Sequence, residues 1–314
     1  MTIVRFGAIK TPMDKRTSYI QANSNGRLHP ADEPAVSPLN RGYLYGDAVY
    51  EVWRTHAGVL FAFAEHWARL ERSASALHLA LPLTATQCRE EIARTAAAFR
   101  SRTGESGELY VRLQVTRGAG PIGLDPGLAD RPDWTLLVQR APAPVSRALR
   151  LAIPRALRRN PAECLNPAWK TGNYLNNLLG VGEARRCGAD DALFLNQAGD
   201  LTEVSAASLV LVEGTRLITP RLEDGLLAGI TRSLLLTQVA PAAGLAVEER
   251  SIRPAELGCF SEAMALSTTK DVVPVAAIDG KEWPEAPGPV TRRLMTAWQK
   301  WVYGYAQRNP GLRV

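Results

Sequence analysis

The sequence predicts an α+β protein in two domains, and three observations carry that prediction. The chain has 314 residues, enough for two sizeable cores and too many for one small binding module. Its hydrophobic period switches repeatedly between the alternation of a strand and the wider spacing of a helix. Proline then interrupts the pattern near the middle, at Ala141-Pro142-Ala143-Pro144-Val145. Residues 1–18 are therefore read as an N-terminal extension, 19–140 as a smaller α+β domain, 141–150 as a linker and 151–314 as a larger α+β domain.

In chain order, the residues before Tyr19 are polar and aperiodic. Ser24-Asn25-Gly26 reads as a tight turn and Pro30 to Pro38 as a loop. Ala48 to Thr55 alternates two faces and is rich in β-formers, so it is a strand, and Ala57-Gly58 turns it back into Val59-Leu60-Phe61. Trp67, Leu70, Ala74 and Leu77 then share one helical face, which leaves Arg69 on another. Gln87 to Phe99 reads as a second helix, and Glu108 to Thr116 as a strand with Tyr110, Arg112 and Gln114 on one face. A guanidinium in so apolar a strand is costly unless paired, so Arg112 should meet an anion, either a ligand or a structural carboxylate. Trp134 to Val138 is a further strand. Beyond the linker, Leu151–Ile153, Ala192–Leu195, Ser208–Val212, Leu217–Thr219 and Ala263–Leu266 read as strands. Tyr174, Leu178, Val181 and Arg185 sit near helical spacing ahead of Gly188, a helix stop.

Composition narrows the function. With 46% hydrophobic and 22% charged residues the chain is an ordinary globular one. A net charge of +6 and a pI near 9.3 invite a nucleic-acid partner, yet the basic residues are dispersed rather than gathered into a face. Attraction of anionic substrates is the better use of that charge. Cys88, Cys164, Cys187 and Cys259 form no Cys-x-x-Cys pair, and the four histidines make no paired-ligand motif, so buried thiols, a reducing compartment and no metal are expected. No apolar run reaches membrane-spanning length and no signal-peptide core opens the chain, which points to the cytoplasm without a membrane partner.

The chemistry concentrates between Asn166 and Arg232. Lys170 follows Asn166-Pro167-Ala168-Trp169 and precedes the Gly172-Asn173 turn, a partly enclosed setting. Desolvation favours a neutral amine, the form that attacks an aldehyde and later carries a proton. Tyr174 lies four residues on, Glu203 is an isolated carboxylate in Leu201-Thr202-Glu203, and Gly229-Ile230-Thr231-Arg232 opens a helix through Val239. A helix start with a glycine before it suits a phosphate dianion. Amine, phenol, carboxylate and phosphate cradle are the parts needed to hold pyridoxal 5′-phosphate (PLP) and use it. Each has a plainer reading as a core tyrosine, a strand glutamate or a simple turn; the combination favours the cofactor.

Arg41-Gly42-Tyr43-Leu44-Tyr45-Gly46-Asp47, then Val49-Tyr50-Glu51, Glu65-His66-x-x-Arg69-Leu70 and the segment around Lys170 together resemble the fold-type IV PLP enzymes. That family holds the branched-chain aminotransferases, D-amino-acid aminotransferases and aminodeoxychorismate lyases, and the likeness covers roughly Leu28 to Gly280. The resemblance implies that Lys170 is the catalytic lysine. It further implies that Arg69, Gly229, Ile230, Thr231 and Thr268 hold the cofactor phosphate, that Tyr174 bonds the ring's phenolic oxygen, and that Glu203 serves the ring nitrogen. Tyr45, Tyr50, Tyr110, Arg112 and Thr269 border the substrate by the same likeness, in a homodimer that completes the pocket. Tyr110-Val111-Arg112 resembles the branched-chain enzymes, and Ile122 and Leu124 stand where D-amino-acid enzymes carry an arginine and a histidine. The implied reaction moves the amino group of a hydrophobic L-amino acid to a keto acid such as 2-oxoglutarate. Alternatives are an aminodeoxychorismate lyase releasing pyruvate and a D-amino-acid or amine transaminase. The chain departs from the family's Glu-Gly-x-x-x-Asn at Val204 and Ser208, and Lys270 stands where a small residue is common, which bears on the pocket's shape.

Overall fold

The computed structural model describes residues 19–314, so the expected N-terminal extension lies outside the described residues. The first half runs β1 (Gln21–Ser24), β2 (Arg27–Pro30), α1 (Arg41–Tyr45), β3 (Ala48–His56), β4 (Val59–Leu60), α2 (Phe63–Ala76), α3 (Ala85–Thr103), β5 (Leu109–Thr116) and β6 (Asp133–Arg140). Its six strands form an antiparallel sheet in the order β2-β1-β6-β5-β3-β4. Alternation along β5 buries Leu109, Val111, Leu113 and Val115 against Leu70, Ile92, Ala96 and Phe99 of the two helices. Helix α3 starts earlier than its apolar spacing suggests, because Thr84 and Gln87 exchange side-chain and backbone hydrogen bonds in a capping box.

The second half runs β7 (Leu149–Ala152), α4 (Ala162–Leu165), α5 (Leu175–Arg186), β8 (Asp191–Leu195), β9 (Leu201–Val204), β10 (Ala207–Glu213) and β11 (Arg216–Thr219). It continues with α6 (Ile230–Leu234), which passes through a π turn at Leu235–Val239 into α7 (Ala240–Ala242), then β12 (Ala246–Glu249), β13 (Glu262–Ser267), β14 (Asp271–Ile278), β15 (Lys281–Glu282) and α8 (Pro289–Arg308). These strands make a nine-stranded sheet in which β9 pairs back onto β10, closing β10-β13-β14-β7-β8-β9 into a barrel. Leu193, Leu201, Val204, Leu209, Leu211, Ala265 and Val275 belong to one buried core. No described helix is long and apolar enough to cross a membrane.

Two expectations are corrected. Helix α5 buries Asn177, Gly180 and Ala184 and leaves Leu175, Leu178 and Leu179 exposed, the reverse of what its leucines suggest. Close approach explains it: a Cβ on Gly180 would lie 2.3 Å from Phe194 Cζ, so only this small-residue face fits against β8. The thiols are not all buried either, since only Cys88 is, and Cys164, Cys187 and Cys259 are exposed.

Candidate active site

The segment carrying Lys170 is zipped to the first sheet and helix although it belongs to the second half of the chain. Tyr50 N donates to Lys170 O at 3.0 Å, Gly172 N donates to Ala48 O at 2.8 Å, and Val49 pairs with Thr171. From the other side Lys170 N donates to Ser73 Oγ at 3.0 Å, while that hydroxyl donates to Arg69 O at 2.9 Å. Strand β3 and helix α2 thus fix the lysine backbone and leave its side chain to the cavity. Helix α2 can do this because it buries two stripes, the expected apolar one and a polar one of His66, Arg69 and Ser73 at helical spacing.

The Lys170 amine ends between two phenols, 3.3 Å from Tyr50 Oη and 3.4 Å from Tyr174 Oη. It also lies over the Tyr50 ring, 4.4 Å from its centre. Burial, together with Tyr174 beside it, pushes the Tyr50 phenol well above its ordinary pKa, so Tyr50 stays protonated and can donate.

Glu203 is buried on β9, with Oε1 2.8 Å from Arg159 Nη2 and Oε2 accepting from Leu227 N at 3.2 Å. Burial raises its pKa above the ordinary carboxylate range, against the pull of Arg159, the Leu227 amide and Lys170. Arg159 in turn donates to Asn177 Oδ1, whose amide donates to Ser205 O. No local spacing in the sequence marks Arg159, because its partner Glu203 is brought near by the barrel.

Another end of the cavity is built at the start of α6. A Cβ on Gly229 would lie 2.7 Å from Ser208 Oγ, so glycine lets the serine hydroxyl pack close to the helix start. Thr231 is buried, lines the cavity, and its Oγ1 has no hydrogen-bond partner among the described residues. A buried hydroxyl left unpaired at a helix start fits a ligand oxygen, and this fits a phosphate-bearing cofactor. Across from it stands a buried cluster: Arg69 donates from Nε to Glu51 Oε1 at 2.6 Å, from Nη2 to Glu51 Oε2 at 2.9 Å, and from Nη1 to Ala228 O at 2.9 Å. His66 Nδ1 is 2.7 Å from Glu51 Oε2 and His66 Nε2 is 3.4 Å from Thr268 Oγ1. Burial alone would raise the Glu51 carboxyl, but Arg69 and His66 hold it well below the carboxylate range, so it is ionised. Glu51 is legible by the desolvation reasoning applied to Arg112, as a charged residue in an apolar strand.

One cavity of about 90 Å³ brings together Arg69, Lys170, Tyr174, Glu203, Gly229, Ile230, Thr231 and Thr268. Tyr50 joins it through Lys170. The other expected substrate residues sit outside its lining. Tyr45 Oη accepts from Gly123 N, and the carbonyl of Thr269 accepts from Arg54 at 2.8 Å. Arg112 stacks 3.8 Å from the centre of the Tyr50 ring and donates to Gln114; among the described residues it makes no ion pair. Tyr110 faces the same side of β5, opposite Arg54. Of the departures from the family pattern, Val204 belongs to the barrel core, Lys270 lies 3.7 Å from Asp191, and Ser208 lines the cavity.

The chain belongs to the class IV aminotransferases: the profile described as amino-transferase class IV matches residues 48–278. It is 33% identical over 257 residues to the putative branched-chain-amino-acid aminotransferase of Methanocaldococcus jannaschii, covering 82% of this chain and 87% of that protein. It is 31% identical over 282 residues to the D-alanine aminotransferase of Bacillus licheniformis, covering 88% and 94%. Among solved structures, the branched-chain aminotransferase of the thermophilic archaeon Thermoproteus uzoniensis with norvaline superposes with a TM-score of 0.84 at 28% identity, covering 94% of this chain and 98% of that one. The fold is accordingly the α+β fold-type IV architecture.

Proposed function

We propose that this aminotransferase uses PLP to move the amino group of a hydrophobic, branched-chain-type L-amino acid to a keto acid such as 2-oxoglutarate. The observation that carries the reading is Lys170 Nζ held by two phenols in the cavity that also contains buried Glu203 and the unpaired Thr231 hydroxyl. When bound, PLP supplies an aldehyde carbon that takes the amino group and a pyridine ring that accepts electron density from the carbon losing its proton.

The protein's own groups do the rest. Lys170 is the attachment point and carries the substrate's Cα proton, steered by the hydroxyls of Tyr50 and Tyr174. Glu203, whose charge burial opposes and Arg159 favours, faces the ring nitrogen and shares a proton with it. Arg69, Thr268, the Thr231 hydroxyl and the first amides of α6 at Ile230 and Thr231 receive the phosphate, with Gly229 leaving room for it. Tyr50 and Arg112 border the substrate, with Tyr45, Tyr110 and Thr269 beyond them. Exposed Leu175, Leu178 and Leu179, with Ile122 and Leu124, support a homodimer, since an apolar surface of that kind asks for a cover.

The L-branched-chain choice rests on Ile122 and Leu124, which offer no cation where a D-amino-acid enzyme would have one. The test is a donor panel with 2-oxoglutarate as acceptor. L-leucine, L-isoleucine or L-valine should yield its keto acid together with L-glutamate, and release of pyruvate from aminodeoxychorismate without any of these products would replace the proposal.

A further inference from the structure

We propose that His66 is a positioning residue whose charge sets the direction of the Thr268 hydroxyl, so that a phosphate dianion in the cavity is held with His66 protonated on both ring nitrogens. The proposal deepens the cofactor reading above and rests on it.

The geometry leaves little freedom. Glu51 is fully buried and its carboxylate is bound by Arg69 through both oxygens. A contact of 2.7 Å between His66 Nδ1 and Glu51 Oε2 needs a proton between the two atoms, and with Glu51 ionised that proton is on Nδ1. Arg69 Nη2 also lies 3.4 Å from Nδ1, a much longer approach than the 2.7 Å contact with Glu51. Nδ1 is therefore a donor in every state, and the charge of the ring is decided at Nε2 alone.

Nε2 faces Thr268 Oγ1 at 3.4 Å. When the ring is neutral, Nε2 is an acceptor and draws the threonine's hydrogen towards itself. Thr268 then turns lone pairs to the cavity, which repel a phosphate. When the ring is cationic, Nε2 donates to Oγ1 and frees the threonine hydrogen for the ligand. A dianion selects the second arrangement.

The charge balance around the ring agrees. From β3 come Glu51 and the Trp53 ring, 5.9 Å between centroids; from α2 comes Arg69; from the turn after β13 comes Thr268, and Lys170 acts from the cavity. Glu51 and Arg69 cancel, so the phosphate end gains net positive charge when His66 takes up a proton. Burial, with Arg69 and Lys170, lowers the His66 pKa against the pull of Glu51, so the ring is poised to be neutral until an anion arrives.

The experiment is calorimetric titration of the cofactor-free enzyme with pyridoxamine 5′-phosphate, which cannot bond covalently to Lys170. It is run near pH ~8, where the ligand is already a dianion, in buffers of different ionisation enthalpy. Wild type should take up protons that His66→Gln does not, and its affinity should fall with rising pH by up to about tenfold per unit, the limit for one coupled proton. In nitrogen-labelled wild type the His66 ring signals should move to the cationic pattern on binding, which keeps the test independent of whether the variant folds. Equal proton uptake in the variant, or a neutral His66 ring in the complex, overturns the proposal. Failure of pyridoxamine 5′-phosphate to bind wild type at all overturns the cofactor reading instead.

Discussion

Arg159 Nη2 lies 2.8 Å from Glu203 Oε1, and both side chains are largely shut off from water. Burial pushes the Glu203 carboxyl up, and Arg159 is the strongest force pulling it back. Removing the guanidinium should raise the Glu203 pKa further and weaken its hold on a proton at a ring nitrogen. We expect Arg159→Met and Glu203→Gln each to slow the single-turnover half-reaction with L-leucine by about 10- to 100-fold, the scale of one charge-assisted hydrogen bond. Because the two act as a unit, the double variant should be little slower than either alone. Additive losses in rapid-mixing kinetics would separate their roles.

The Glu51–Arg69 pair sets a stability that depends on pH. Its carboxyl has a folded-state pKa below the unfolded value, so its contribution is complete above the ordinary carboxylate range and is lost as pH falls through the folded value. Glu51→Gln leaves Arg69 buried without its counter-charge and should cost about 3–5 kcal/mol at neutral pH. The gap between wild type and variant, followed by denaturant melts, should close as the pH drops below the ordinary carboxylate range. A gap that stays constant into acid would mean the loss comes from packing.

Gly180 tests how α5 is seated. In an isolated helix Gly→Ala gains up to about 1 kcal/mol, but here the added methyl meets the Phe194 ring at 2.3 Å. Overpacking at such a site costs roughly 1–3 kcal/mol, so Gly180→Ala should melt lower than wild type. Shortening the ring partner in Gly180→Ala with Phe194→Leu should recover part of the loss. A higher melting temperature for the single variant would show that α5 can ride outwards.

Legibility in the sequence followed the range of the interaction. Strands β3, β5, β6, β8, β10 and β13 were readable because alternation and turn residues act within a few positions. The gathering of Lys170, Tyr174, Glu203 and the Gly229 start was expected from their combination and not from any one of them, and a single cavity brings them together. The face of α5 was not, since leucine spacing cannot announce that Gly180 touches Phe194 of the following strand. Nor was the contact of His66 with Thr268, 202 residues away, or that of Arg159 with Glu203. The polar stripe of α2 lay between these limits: His66, Arg69 and Ser73 have helical spacing, but only a buried partner such as Glu51 makes that stripe an inward one.

On the proposed reading, the cation above Tyr50 is what tells the two substrates apart. Arg112 is spent on one hydrogen bond to Gln114 and on the Tyr50 ring 3.8 Å away, so its remaining donors are available to a carboxylate. An aliphatic amino acid has only its own α-carboxylate to place, whereas 2-oxoglutarate brings a second one. Arg112→Ala should therefore raise KM for 2-oxoglutarate by about tenfold or more, the worth of a charge-assisted bond, while the half-reaction with L-leucine stays within about threefold. Tyr50→Phe should behave differently and slow both halves, because its hydroxyl lies 3.3 Å from Lys170 Nζ, the group proposed to move the proton in either direction. Steady-state kinetics with donor and acceptor varied separately distinguish the two patterns. If Arg112→Ala slowed both halves equally, Arg112 would be acting through Tyr50 and not on the acidic partner. If only D-amino acids served as donors, Ile122 and Leu124 would be a poor guide to the pocket, and the roles of Lys170 and Glu203 would stand without the L-branched-chain assignment.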